Sequence, residues 1–186
     1  MVNPVQRRAT YADLLDVPDN RVGEIIDGEL ITQPRPASPH ARAASRLGAD
    51  LGGPFDRAKG GPGGWIILYE PELHLHGDAL VPDLGGWRRE RMPELPHVAA
   101  FELAPDWVCE VLSPSTQSHD RVKKMRVYAR EGVRHVWLVD PLAQTLEVYV
   151  AADGAWLRSQ IAQGAEKIRA APFAELELEL AALWER

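Results

Sequence analysis

The stretch Asp106-Trp-Val-Cys-Glu-Val-Leu112 is almost unbroken apolar sequence with a single carboxylate inside it. A strand with one wet face would alternate polar and apolar residues. This one does not, so both of its faces must be covered, as in the parallel or mixed sheets of α/β proteins. A chain of 186 residues, 45% of them hydrophobic, suffices for one such domain and buries roughly 70% of its unfolded surface. Disorder and fibre are excluded. No apolar run approaches the roughly 20 residues of a bilayer span. The first twenty residues hold no apolar core of a secretory signal, so a cytoplasmic location off any membrane is expected. The one cysteine, Cys109, lies inside the apolar strand, and the fold must stand without disulfides.

Around that strand the punctuation is regular. Thr10-Tyr-Ala-Asp13 reads as a capping box that opens a short helix ending near Pro18. Asp27-Gly28, set between apolar pairs, predicts a tight hairpin near the N-terminus. After a loop marked by Pro34, Pro36 and Pro39, Ser38 is read as the cap of a helix with Ala41, Ala44, Leu47 and Leu51 inward. Strands follow at Trp65–Tyr69 and around Leu73 and Leu75; Gly77-Asp78 is a second turn, with residues 79–84 as its return strand. Residues 88–101, charged and broken by prolines, read as a surface loop. Asp120 is read as the N-cap of a helix that turns Val122, Met125 and Ala129 inward and ends at Gly132. Residues 134–140 and 145–150 give two more strands, and the tail ends in a short helix. This order predicts an α/β domain around a mixed sheet. It is one unit over residues 1–186, with its core at about 10–150 and an extension at 151–186.

Three features bear on chemistry. Glu110 is a carboxylate in an apolar strand, so it must be ion-paired, protonated, metal-bound or open to a cleft. Asp83, in Pro82-Asp83 at the end of the return strand, could be no more than a turn residue. Lys124 shares a helical stripe with Arg121 and Tyr128, by spacing, and could equally face solvent. Taken together, an Asp at one strand end, a Glu on the next strand and a Lys on the following helix can converge on one pocket and hold Mg²⁺ beside a fixed cation. The chain is acidic, with 21 Lys and Arg against 27 Asp and Glu. Its basic residues nevertheless crowd one segment, where Arg121, Lys123, Lys124, Arg126, Arg130 and Arg134 meet only Glu131.

Longer motifs carry a resemblance. Glu24-Ile-Ile-Asp-Gly-Glu-Leu, Ser38-Pro-His40, Pro82-Asp83, Ala104-Pro-Asp-Trp-Val-Cys-Glu-Val-Leu-Ser-Pro-Ser-Thr116, Asp120-Arg-Val-Lys-Lys124, Tyr128-Ala-Arg-Glu-Gly-Val133 and Trp137-Leu-Val-Asp-Pro141 resemble the Uma-two endonuclease-like family. That family is a bacterial branch of the PD-(D/E)xK restriction-endonuclease-like superfamily. The likeness implies a restriction-endonuclease-like mixed sheet flanked by helices, with an N-terminal β-hairpin. It also implies Asp83 and Glu110 as ligands of Mg²⁺ or Mn²⁺. Leu112 stands where the superfamily places its lysine. Lys124, four residues after Asp120, would serve instead, with Lys123 as runner-up. Glu24 and His40 match the family pattern as possible further members, with Tyr128 beside Lys124.

The function implied is metal-assisted hydrolysis of DNA phosphodiesters, with the carbonyl of Val111 as a third metal ligand and Arg121, Lys123 and Arg126 on phosphates. The two metal-ligand carboxylates should then lie within about 6 Å of each other. The non-enzymatic alternative is an inactive nuclease-like fold serving as a DNA-binding or oligomeric interaction module. Two other enzyme readings are weaker. Glu72, His74 and His76 could share a strand face and bind a transition metal. Ser113 or Ser115 with His119 and Asp120 could form a hydrolase site, but the nucleophile-elbow motif is missing. A homodimer is expected because two sites related by symmetry cut two strands most simply. Trp87, read as a loop residue, and the late Trp156 and Trp184 would supply apolar surface to cover.

Overall fold

Residue pairing in the computed structural model, which describes residues 7–115 and 117–185, shows how the apolar strand is covered on both sides. That strand is β7 (Trp107–Val111), third from one edge of a six-stranded sheet that also holds β3 (Trp65–Tyr69), β6 (Leu84–Arg88), β8 (His135–Asp140), β9 (Thr145–Ala152) and β10 (Ala155–Gln163). The order is β10-β9-β8-β7-β6-β3. β7 and β8 run parallel, and the other neighbours are antiparallel. Alternate residues of β7 enter two separate cores. Trp107, Cys109 and Val111 pack with Leu47 and Leu51 of the long helix at residues 38–51, with Phe55 of the π-helical turn that follows it, and with Phe173. Val108 packs on the opposite face with Met125, Val127 and Tyr128. The Trp107 ring meets Trp137 at 5.3 Å and Phe173 at 5.0 Å, both edge-on, and each pair contributes about 0.5–1.5 kcal/mol beyond buried area.

A second sheet of four strands, β2-β1-β5-β4, carries the hairpin. It comprises β1 (Arg21–Ile26), β2 (Glu29–Pro34), β4 (Leu73–Leu75) and β5 (Asp78–Leu80). Asp27 at φ 54° and Gly28 at φ 82° make the expected left-handed two-residue turn. The turn at the second hairpin is His76-Gly77, with Asp78 already in β5. The expected return strand is two strands. β5 stops at Leu80, residues 81–83 pass from the small sheet to the large one, and Asp83 leads directly into β6. Trp87 is correspondingly not a loop residue: it is fully buried in β6, its indole N–H donating to the Leu103 carbonyl at 2.8 Å.

The helices are α1 (Tyr11–Leu15), α2 (Ser38–Leu51), α3 (Met125–Arg130) and α4 (Ala181–Trp184). At α1 the expected capping box is present, with Asp13 accepting from the Thr10 N–H at 2.7 Å and from its hydroxyl at 2.9 Å. Ser38 is the first residue of α2, and Ala37 occupies the cap position with no side-chain hydrogen bond. The buried positions of α2 are His40, Ala43, Leu47, Gly48 and Leu51; Leu47 and Leu51 face inward as expected, while Ala41 is exposed and Ala44 partly buried. A π-helical turn, His119–Lys124, precedes α3. Its wider i→i+5 winding changes which residues face inward. Asp120 is inside it and buried, not a cap, and Val122 is 48% exposed. The segment beyond residue 150 supplies β10, and α4 provides the expected terminal helix. Among the described residues no helix is long and apolar enough to cross a membrane. Residues 1–6, Thr116 of the Ser-Pro-Ser-Thr motif and Arg186 lie outside the description.

Candidate active site

The passage of residues 81–83 between the two sheets determines where the acidic residues meet. Leu84 pairs with Cys109 and Gly85 with Val108, so one step further along this antiparallel register Asp83 comes level with Glu110. Residues opposite each other on adjacent strands hold their Cβ atoms about 4.5–5.5 Å apart. Asp83 Oδ2 accepts the Val111 N–H at 2.6 Å, and Asp83 Oδ1 lies 3.2 Å from His40 Nε2 on α2. Glu24, on the first buried position of β1, reaches the same place from the small sheet and accepts the Val81 N–H at 2.8 Å.

Lys124 is the centre of the cluster. Its Nζ lies 2.9 Å from Glu24, 3.1 Å from Glu110 and 3.3 Å from Asp120. Tyr128, one turn on, donates its hydroxyl to the other oxygen of Glu110 at 2.5 Å. Glu24, Glu110, Asp120 and Lys124 are each between 1% and 3% exposed. Burial pushes the Glu110 carboxyl well above the usual range; Lys124 offsets part of this, and Asp120, Asp83 and Glu24 add to it. Burial opposes the charge on Lys124, but Glu110, Glu24 and Asp120 outweigh it and hold the ammonium well above its ordinary value. Burial and the neighbouring Glu110 likewise keep Tyr128 protonated, well above the usual phenol value. For His40 burial favours the neutral ring, but its contact with Asp83 wins and raises it.

Glu24, His40, Asp83, Glu110, Asp120 and Lys124 border a cleft of about 480 Å³. Among the described residues three buried side-chain atoms around it have no hydrogen-bond partner: Gln33 Oε1, His40 Nδ1 and Asp120 Oδ1. The last is at ion-pair distance from Lys124 but not aligned for a hydrogen bond. Buried polar atoms are nearly always satisfied, so Gln33 Oε1 and His40 Nδ1, which have neither a hydrogen bond nor an ion pair there, leave the cleft able to receive a further polar group. Among the described residues no three His, Cys, Asp or Glu side chains form a metal-holding group. The donors are hard oxygens in negative surplus. They fit Mg²⁺ or Mn²⁺, which take one or two carboxylates and fill the remaining positions with water and substrate oxygens, better than zinc.

The structure brings together Asp83, Glu110, Lys124, Glu24, His40 and Tyr128. It does not bring Lys123, which pairs with Glu29 at 2.5 Å, nor Arg121, which pairs with Glu147 at 2.6 Å; Arg126 is exposed. The Arg121–Lys124–Tyr128 stripe therefore breaks at the π-helical turn, and Asp120 takes the place expected of Arg121. Asp120 was visible in the sequence as the i, i+4 partner of Lys124 but read as a cap. The alternative metal set is dispersed: His74 pairs with Glu72 at 2.7 Å, while His76 sits in the turn and pairs with Glu131 at 2.5 Å. Asp120 is committed to Lys124, which leaves no triad with His119. The tryptophans expected to offer apolar surface to a partner differ in burial. Trp87 is buried, and Trp156 and Trp184 are partly buried with indole N–H groups bonded to the Met125 and Gly164 carbonyls at 2.8 Å.

A mixed sheet with a helical crossover after a Glu-bearing strand, an Asp opening the neighbouring strand and a Lys on the crossover place the fold in the restriction-endonuclease-like class. A crystal structure of a putative nuclease belonging to DUF820 from Anabaena variabilis shares it at 23% identity and a TM-score of 0.74, over 95% of this chain and 97% of that one. The Uma2 family, described as "Putative restriction endonuclease", matches residues 8–182, and the chain belongs to that family. The match takes in β10 and ends within α4. No curated protein matches the chain.

Proposed function

We propose that the chain is a divalent-metal-dependent endonuclease that hydrolyses DNA phosphodiesters in the cleft floored by Asp83, Glu110 and Lys124. The observation that supports this most is the charge surplus: three buried carboxylates surround one lysine, with Asp83 beside them. Such a cluster invites a further cation. Asp83, Glu110 and the carbonyl of Val111 would hold Mg²⁺ or Mn²⁺, which when bound polarises a phosphate and lowers the pKa of a water.

The remaining work falls to the chain's own groups. Lys124 is held charged, so it serves as a fixed cation for phosphate oxygens and not as a proton acceptor. Glu24 and Tyr128 are positioning residues, one holding the ammonium and the other the Glu110 carboxylate. The Val111 N–H and His40 fix the two oxygens of Asp83. Of the expected phosphate contacts on the helix, Arg121 and Lys123 are committed to carboxylates and Arg126 is exposed. Labelled oligonucleotides incubated with Mg²⁺ or Mn²⁺ test the proposal. Cleavage should require the metal, vanish in Asp83→Ala and Glu110→Ala, and slow by about 10²–10³-fold in Lys124→Ala. DNA that is bound but never cut by the wild-type protein would favour the inactive-module reading.

A further inference from the structure

We infer that this cleft takes an unpaired nucleotide, so that the substrate is single-stranded nucleic acid or a frayed or flapped end, and not the interior of a continuous duplex. The inference rests on the hydrolytic reading above and concerns which strand can reach the site. The floor is deep: Glu110 and Lys124 are at most 3% exposed and the Asp83 side chain 14%. A volume of about 480 Å³ is that of a small-molecule site. A duplex carries its phosphates on a convex outer surface, which cannot enter a cleft of this size without unpairing. Extruding a nucleotide from a duplex gives up its pairing and stacking, a cost that is least for a strand already unpaired.

The mouth agrees with the floor. Pro34 and Pro36 at the end of β2 and Pro114 after β7 are exposed and line the opening, offering apolar faces to a base. Arg21 and Arg35 stand at the same opening. Arg21 donates to the Thr32 hydroxyl and carbonyl at 3.1 and 2.7 Å, and Arg35 to the Asp19 carbonyl at 3.1–3.2 Å. Among the described residues neither is in an ion pair, whereas Arg121 and Lys123 on the outer helix are neutralised. Two arginines free of carboxylates thus stand at the cleft mouth, where one strand's backbone passes, and a net charge of −6 disfavours a broad duplex-binding face.

Fluorescence anisotropy with a labelled single strand, its blunt duplex and the same duplex bearing a single-stranded flap decides the matter. The single strand and flap should bind at least tenfold more tightly than the blunt duplex, and Arg21→Ala with Arg35→Ala should weaken single-strand binding more than duplex binding. Equal or tighter binding of the blunt duplex overturns the inference. So does cleavage within duplex interiors as fast as in single strands when Mg²⁺ is added. A single-strand preference in binding with no cleavage of any substrate leaves the ligand class standing and defeats the hydrolytic reading instead.

Discussion

Two strands of the main sheet each carry a lone carboxylate among apolar residues, Glu110 in β7 and Glu147 in β9, and the two stand level across Leu138 of β8. One helical segment supplies a partner to each. Around Glu147 the cations are in excess: Arg121 at 2.6 Å and Arg158 at 3.2 Å, with the Tyr149 hydroxyl at 2.7 Å. Burial raises the Glu147 carboxyl, but its hydrogen bonds from Arg121 and Tyr149 more than offset this and hold it below the usual range. Around Glu110 the ratio is reversed, with several carboxylates to one lysine, and its carboxyl is pushed well up. The first cluster is closed and holds the sheet to its helix. The second is unbalanced and opens on a cleft. What separates them is the residues that other elements bring, since the local sequences are alike.

Removing Lys124 should break the contrast most severely. Lys124→Met leaves buried carboxylates without their cation and should cost about 3–5 kcal/mol, read by chemical denaturation. Glu147→Gln removes charge-assisted hydrogen bonds from two arginines and should cost about 2 kcal/mol. Because the folded Glu147 carboxyl titrates below its ordinary value, its stabilisation is full above about pH 4.3 and is lost as the pH falls through the folded value. The acid limb of Tm against pH should therefore flatten in Glu147→Gln. The smallest effect has the opposite sign. Asp120→Asn relieves surplus charge while Lys124 keeps Glu24 and Glu110, and should leave stability unchanged or raise it by up to about 1 kcal/mol. A loss in Asp120→Asn equal to that in Glu147→Gln would erase the distinction between the clusters.

Legibility followed locality. The Asp27-Gly28 hairpin and β7 were readable because turn chemistry and unbroken apolar character are properties of a few adjacent residues. The break after Leu80 was not. Residues 79–84 read equally well as one strand, and only the Val81 N–H bonded to Glu24 and the missing donor of Pro82 end it. The π-helical turn shifted the inward face, so Val122 was placed in the core and Asp120 at a cap. Asp83, Glu110 and Lys124 can be paired from spacing and family likeness, whereas Glu24 is offered by the likeness alone, because it reaches Lys124 from the other sheet, a contact that no local pattern encodes. The pairing of Glu147 is hidden from the sequence for the same reason, since Arg158 reaches it from β10.

The central claim is that the surplus around Glu110 is a cation site and that around Glu147 is not. Titration calorimetry with Mn²⁺ tests it without reference to catalysis. The account predicts binding by the wild-type protein and by Glu147→Gln, and its loss in Asp83→Ala with the fold retained by circular dichroism. Undiminished Mn²⁺ binding in Asp83→Ala, or none in the wild-type protein, would contradict it.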